Sequence, residues 1–395
     1  MTILTYREVP PQEHGRFAQI QAVSYGSDYQ EALEGARQGR LRRLRGLYAD
    51  GRLVSVAYLY PFQIAAGGVP VPGFGIGNVA TPPEDRRRGY TERLLREMCE
   101  ELRAEGAALC TLGAFKNSFY GRYGWATYLE LRRFSGAPAL FGPFRSRQRG
   151  AWSPVGAEAI PELDAIYRGA LRARFGPVVR SAEWWEQRVL WHGKQNHNYL
   201  WRDDAGAARA YVLFHFEGEW ERRELHCREV VALDPEARAQ IFAFFAAHED
   251  QAKAVVFYAP ADAPVQLLLP DPLECALEPG YMLRLLDVAA ALSALPYPGD
   301  ARGRLAIAVA DDWLDHNRGV FELEVAEGTG ACRKLPDGAA ADLACDVRQL
   351  AQIASRHLRP RTAAAFGLLE ARGRPALALL DRLFAGPAPY TSDWF

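Results

Sequence analysis

The stretch Val79-Ala80-Thr81-Pro82-Pro83-Glu84-Asp85-Arg86-Arg87-Arg88-Gly89-Tyr90-Thr91 decides how this chain is read. It sits between a short apolar strand, 76–79, and a segment, 91–105, whose residues Leu94, Leu95, Met98 and Leu102 recur at helical spacing. Proline and charge end the strand. Gly89 then lets the backbone turn with no Cβ in the way. The following helix opens with unpaired N–H groups and the positive end of its dipole. That is a seat for a diphosphate, and three arginines add attraction. Read alone, Arg86-Arg87-Arg88 could equally be a solvated basic patch. The segment is no P-loop, because GxxxxGK[ST] is absent, and no Rossmann fingerprint, because GxGxxG does not follow the strand.

Working outward, residues 46–62 read as strand, Asp50-Gly51 turn and strand, a hairpin signal. Residues 107–113 read as a buried strand, followed by Asn117 to Trp125. The segment from about 146 to 290 repeats the plan. Tyr199–Phe216 again gives strand, Asp/Gly turn, strand, and Val231–Arg238 (VALDPEAR) runs in step with Val79–Arg86 (VATPPEDR). The copies part where the first continues Arg87-Arg88-Gly89 and the second Ala239-Gln240-Ile241. Residues 241–247 (IFAFFAA) are apolar nearly all round and read as core. Tyr297-Pro298-Gly299-Asp300 reads as a linker. Beyond it, strands at 304–310 and 320–326 and helices at 342–358 and 362–384 predict a compact α+β unit. The last residues, Tyr390 to Phe395, are aromatic where a solvated tail is polar, so they are expected to dock.

Composition bounds the rest. The chain has 395 residues, enough for two to four domains at ~100–200 residues each. Its 47 Lys and Arg balance 48 Asp and Glu, which gives no support to a nucleic-acid or membrane-surface binder. Six scattered cysteines contain no CxxC pair, the pattern of reduced thiols in a cytoplasmic protein without a zinc site. No secretory leader and no apolar stretch of membrane-spanning length is read in the sequence. Asp311-Asp312-Trp313-Leu314-Asp315-His316 lacks metal-ligand spacing and reads as a polar turn. His226-Cys227 and Trp184-Trp185 read as packing.

Two linked signatures carry a family resemblance. Arg86-x-x-Gly89-x-Thr91 after a strand resembles the acyl-CoA loop, [RQ]xxGx[GA], of the GNAT superfamily of N-acetyltransferases, with Thr91 where Gly or Ala is usual. Asn117-x-x-Tyr120-x-x-x-Gly124-Trp125 resembles that family's next signature, one helix and one strand downstream. Over its full length the chain resembles the Eis acetyltransferases. The resemblance implies a mixed α/β (α+β) architecture: a catalytic GNAT domain at 1–145, a degenerate second GNAT domain at 146–295, and a sterol-carrier-like domain at 296–395.

It also implies an acetyl-CoA-dependent N-acetyltransferase acting on primary amines: aminoglycosides, other small polyamines or lysine side chains. Acetyl-CoA is expected along Val79, Ala80 and Thr81, along Arg87, Arg88, Gly89, Tyr90, Thr91 and Glu92, and beside Phe115 and Lys116. Tyr120 falls on the family's general acid, and Phe395 on the residue whose α-carboxylate serves as base or proton acceptor. Family amine pockets are acidic, which makes Asp28 and Asp393 candidates. Several members are hexamers, so a homohexamer is expected, with no metal. The rival reading is an inactive acyl-CoA or lipid binder. Tyr120 as a packed aromatic and Phe395 as an apolar plug stand beside their catalytic readings.

The implied chemistry is self-consistent. A phenol near pKa 10 stays protonated at neutral pH and can donate to a departing thiolate of pKa ~8.5. An α-carboxylate near pKa ~3.5 is a weak base for a solvated ammonium, so steering the amine through a water relay suits it better.

Overall fold

The computed structural model describes residues 2–37, 41–190 and 196–395. Its first layer starts with β1 (Leu4–Glu8), α1 (His14–Tyr25), α2 (Tyr29–Arg37), β2 (Arg43–Ala49), β3 (Arg52–Ala66) and β4 (Val69–Ala80). Asp50 and Gly51 both take positive φ, the turn that matches the twist of the β2–β3 hairpin. Next come α3 (Tyr90–Ala104), β5 (Leu109–Gly113), α4 (Asn117–Gly121), β6 (Ala126–Thr127) and β7 (Glu130–Gly136).

The second layer comprises β8 (Ala151–Pro154), α5 (Ile160–Leu171), β9 (Phe175–Val178), the short α6 (Ala182–Trp184), β10 (His197–Arg202), β11 (Ala208–Glu217) and β12 (Glu224–Ala232). It continues through α7 (Pro235–Ala246), β13 (Ala254–Pro260), β14 (Glu274–Pro279) and β15 (Tyr281–Leu285). The third unit holds α8 (Val288–Ala294), β16 (Gly303–Ala310), β17 (Gly319–Ala326), β18 (Thr329–Lys334) and β19 (Leu343–Asp346). It closes with α9 (Val347–Ala354), α10 (Pro360–Ala365), β20 (Glu370–Ala371) and α11 (Arg374–Leu383).

Sheet membership crosses the boundary at 145. The first sheet runs β1-β2-β3-β4-β5-β15-β6, with β9 paired to β3; the second runs β14-β7-β13-β12-β11-β10-β8. Strand β7, from the first copy, thus lies between β14 and β13, and β15, from the second, lies between β5 and β6. Strand β7 buries Leu131 and Phe134 on opposite faces, and β15 is buried along its whole length. Neither pattern names the sheet that takes the strand. The third sheet runs β18-β17-β16-β19-β20. Residues 343–346, expected to begin a helix, are instead a strand parallel to β16. Leu343 is buried there, and the Asp346 carboxylate caps α9 through the Arg348 N–H.

The amphipathic α3 buries Leu94, Leu95, Met98 and Leu102 on one face of the first sheet. Helix α1 packs Phe17 and Ile20 on the other, in a core continuous with α5 and the third unit. A separate core lies under α7, which buries Ile241, Phe242 and Phe245. Among the described residues no helix is long and apolar enough to cross a membrane.

Candidate active site

The site forms where β4 and β5 part. They pair in parallel from Gly73 opposite Leu109 to Ile76 opposite Leu112. Strand β4 then continues to Ala80 through a bulge: Val56 opposes Ala80, Tyr58 opposes Gly77, and Asn78 has φ +51°. Helix α1 secures the bulge. The Gln21 amide donates to the Asn78 carbonyl (2.6 Å), and the Tyr25 hydroxyl donates to the Val79 carbonyl (2.9 Å).

The loop after β4 is pinned at both ends. The Arg52 guanidinium donates two 2.6 Å bonds to the buried Asp85 and holds that carboxyl below the usual carboxylate range. Arg86 Nε reaches the Thr81 carbonyl at 3.1 Å. Arg87 and Gly89 lie in the left-handed region at φ +62° and +79°, and α3 opens behind Gly89 with no side-chain cap. A β-carbon on Gly89 would meet no other atom of the chain, and its left-handed φ is what the turn asks of a glycine. Thr91, which departs from the usual Gly or Ala, has a structural reason. Its hydroxyl lies 2.8 Å from that of Thr81, which lies 2.8 Å from that of Ser55, so the helix start is tied to the strand end.

A cleft of about 780 Å³ joins these parts. Of the residues singled out above, Val79, Ala80, Thr81, Arg87, Gly89, Tyr90, Thr91, Glu92, Phe115 and Tyr120 line it, and Arg88, Lys116 and Phe395 do not. Arg86, the first residue of the loop motif, lines it too, and Tyr25, Phe119, Arg122 and Tyr123 do so without having been foreseen as site residues. Tyr120 is held edge-on by Phe115, Phe119 and Trp125. Burial, with a smaller contribution from Tyr25, pushes its phenol pKa up.

Phe395 approaches from the other face of the sheet. Its ring stacks on Tyr281 at 4.8 Å and packs against Tyr60 and Phe62. Its N–H donates to the Tyr281 hydroxyl (3.2 Å), and its carboxyl lies against Gly77, where a β-carbon would stand 3.6 Å away. Tyr120 belongs to the core under α3 and Phe395 packs on the core under α1, so the parting of the strands lies between them.

The two acidic candidates stand in different surroundings. Asp28 accepts from the N–H groups of Gln30 and Glu31 and caps α2. Asp393 is buried and accepts from Tyr167, Arg180, Trp184 and Thr391. Its own neighbours saturate Asp393, a fact that residue type alone does not carry, whereas Asp28 is exposed and engages the Gln30 and Glu31 N–H groups through Oδ1. Asp311 likewise serves the fold: it caps Trp313 and Leu314 and pairs with the buried Arg284.

The second copy lacks the cleft's parts. Its helix α7 begins at Pro235, so the segment corresponding to the Arg-Arg-Gly loop is already helical. The Asp234 carboxylate accepts from the Ala237 N–H at its N-terminus, and Arg209 pairs with that carboxylate. An anion of the chain's own therefore sits where the first copy leaves donors open.

Residues 5–128 and 176–285 each match an acetyltransferase (GNAT) domain family, and 288–392 match a sterol carrier protein domain. The chain is a GNAT-type acetyltransferase. Among curated proteins, an uncharacterised N-acetyltransferase of Streptomyces griseus is 26% identical over 427 aligned positions, spanning 99% of this chain and all of the relative. One from Streptomyces avermitilis is 25% identical, spanning 89% of this chain and 88% of its own. A GCN5-related N-acetyltransferase from Kribbella flavida superposes over 100% of this chain and 99% of its own, with a TM-score of 0.82 and 25% identity. Eis1 of Mycobacterium abscessus does so over both full chains at a TM-score of 0.81 and 24% identity. At that identity the likeness is one of fold, and it takes in all three units.

Proposed function

We propose that this acetyltransferase moves acetyl from acetyl-CoA to the primary amine of a small molecule. The carrying observation is the single cleft that unites the left-handed Arg87–Gly89 loop, the bulged end of β4 and Tyr120. The donor set suits the carrier: the first-turn N–H groups of α3 and the Arg86 and Arg87 side chains would hold a diphosphate, and β4 would line the pantetheine. Acetyl-CoA supplies the activated acyl group as a thioester. The amine nitrogen bonds to the acyl carbon as the carbon–sulfur bond breaks. The Tyr120 hydroxyl gives its proton to the departing sulfur; its raised pKa keeps that proton in place at neutral pH. The carboxyl of Phe395 takes the amine proton through water, its position beside the bulge supporting that role.

The test is CoA-thiol release by the full chain with acetyl-CoA and a panel of primary amines: an aminoglycoside, spermidine, monoamines and a lysine peptide. Amine-dependent release is expected. Tight acetyl-CoA binding with no release for any amine would overturn the reading in favour of an inactive acyl-CoA binder.

A further inference from the structure

Aligning Val231–Arg238 with Val79–Arg86 and stepping back two residues sets Glu229 where Gly77 stands. Gly77 directly follows the last parallel pair of its strand, Ile76–Leu112, and Glu229 lies one residue further on, past Arg228, from its counterpart Cys227–Phe257. In the first copy that position is bare and faces the carboxyl of Phe395. In the second it carries a buried carboxylate. Arg180, fully buried just after β9, donates two bonds to Glu229 at 3.0 and 2.8 Å. Its Nε donates to Asp393 at 2.9 Å, and Nη2 reaches the Ser392 hydroxyl. Trp184 and Tyr167 complete the shell of Asp393 at 2.8 and 3.0 Å, and Tyr211 donates to Glu229.

We infer that the second domain has become the receptor for the tail, with Arg180, Glu229 and Asp393 as positioning residues for the carboxyl of Phe395. The inference rests on the role proposed for that carboxyl. One guanidinium fork reads two carboxylates, one fixed in the sheet and one carried by the tail. Asp393 stands two residues from Phe395. Between them, Arg188 holds the Trp394 carbonyl at 2.8 Å and Tyr281 accepts from the Phe395 N–H. A tail fixed at Asp393, Trp394 and Phe395 has little freedom left for its last carboxyl. Plugging alone would need only the aromatic contacts; the buried ion network adds direction.

The test is Asp393→Asn. The Arg180–Glu229 pair stays intact, so no buried charge is left alone, and the domain should keep its melting temperature. Loss of the anchor should lower kcat by about tenfold or more, with acetyl-CoA affinity unchanged, since displacements near 1 Å can cost ~10²-fold. The readout that a merely structural role would not move is a cycle. In a chain lacking Trp394 and Phe395, adding Asp393→Asn should change kcat by less than about twofold. An equal fall in both backgrounds, or full kcat in the single variant beside a crippled truncation, overturns the inference alone. Full kcat in the truncation overturns the carboxyl reading beneath it, and the inference with it.

Discussion

Gly75→Ala isolates the placement of Phe395 from the cleft on the other face of the sheet. A β-carbon on Gly75 would stand 2.4 and 2.7 Å from the Phe395 ring and 2.8 Å from that of Phe62. Carbon atoms settle no closer than about 3.5 Å, so some group must give by about 1 Å. Phe62 is paired within β3, whereas Phe395 is the terminal residue beyond the Asp393 anchor, so Phe395 yields while the anchor holds. The carboxyl belongs to the displaced residue and moves with it. A shift of about 1 Å at a reacting group predicts a fall in kcat of up to ~10²-fold. The stability cost should stay near the lower end of the ~1–3 kcal/mol usual for overpacking, because a tail and not a core absorbs it.

The Gly89 loop is untouched, so CoA affinity should hold. Gly77→Ala is the companion: its β-carbon would stand 3.6 Å from the Phe395 carboxyl, an ordinary contact, while 2.8 Å from the Tyr60 ring. It should strain Tyr60 and spare more of the rate. Steady-state thiol release and calorimetric titration with CoA measure both. A Gly75→Ala protein with normal CoA affinity and kcat within about twofold of the parent would refute the placement argument.

Tyr120→Phe should lower kcat by about 10²–10⁴-fold with CoA affinity unchanged. Because burial raises this phenol's pKa above its ordinary value, the parent enzyme should show no alkaline loss of kcat from it up to about pH 9.5, which a pH–rate profile checks. Arg52→Gln should weaken CoA binding by loosening the loop at Asp85, as calorimetry would report. Asp85's lowered pKa contributes stability above the ordinary carboxylate pKa and loses it as pH falls through the folded value. The stability gap between parent and Arg52→Gln should therefore be full at neutral pH and close below about pH 4. Asp234→Ala should destabilise the second domain by about 0.5–2 kcal/mol through loss of the α7 cap while leaving turnover unchanged, as denaturant unfolding and kinetics would show.

The acetyltransferase plan was legible because its signals are short-range. The Arg86–Thr91 loop and the Asn117–Trp125 segment each fit within one turn or helix, and the repeat of Val79–Arg86 at Val231–Arg238 is visible in the letters. Strand exchange was not legible, since nothing in the residues of β7 or β15 names the sheet that takes them. Nor was the tail receptor: Arg180 and Asp393 are 213 residues apart, and nothing local to either names the other. The same distance explains why Asp393 read as a free acid. Its type promised charge, and only packing reveals how many donors already claim it. Thr91 looked like a blemish in the motif until its bond to Thr81 supplied a purpose.

The exchange of β7 and β15 has a consequence during synthesis. Strand β15 emerges about 170 residues after β5, the neighbour it covers, a wait of roughly 8–35 s at ~5–20 residues per second on the ribosome. Through that interval the nascent catalytic half exposes a raw edge at β5, and β7 has no mate until β13 emerges. A gene fragment stopping near residue 145 would encode an unfinished sheet, so recombination would have to hand the two halves on together.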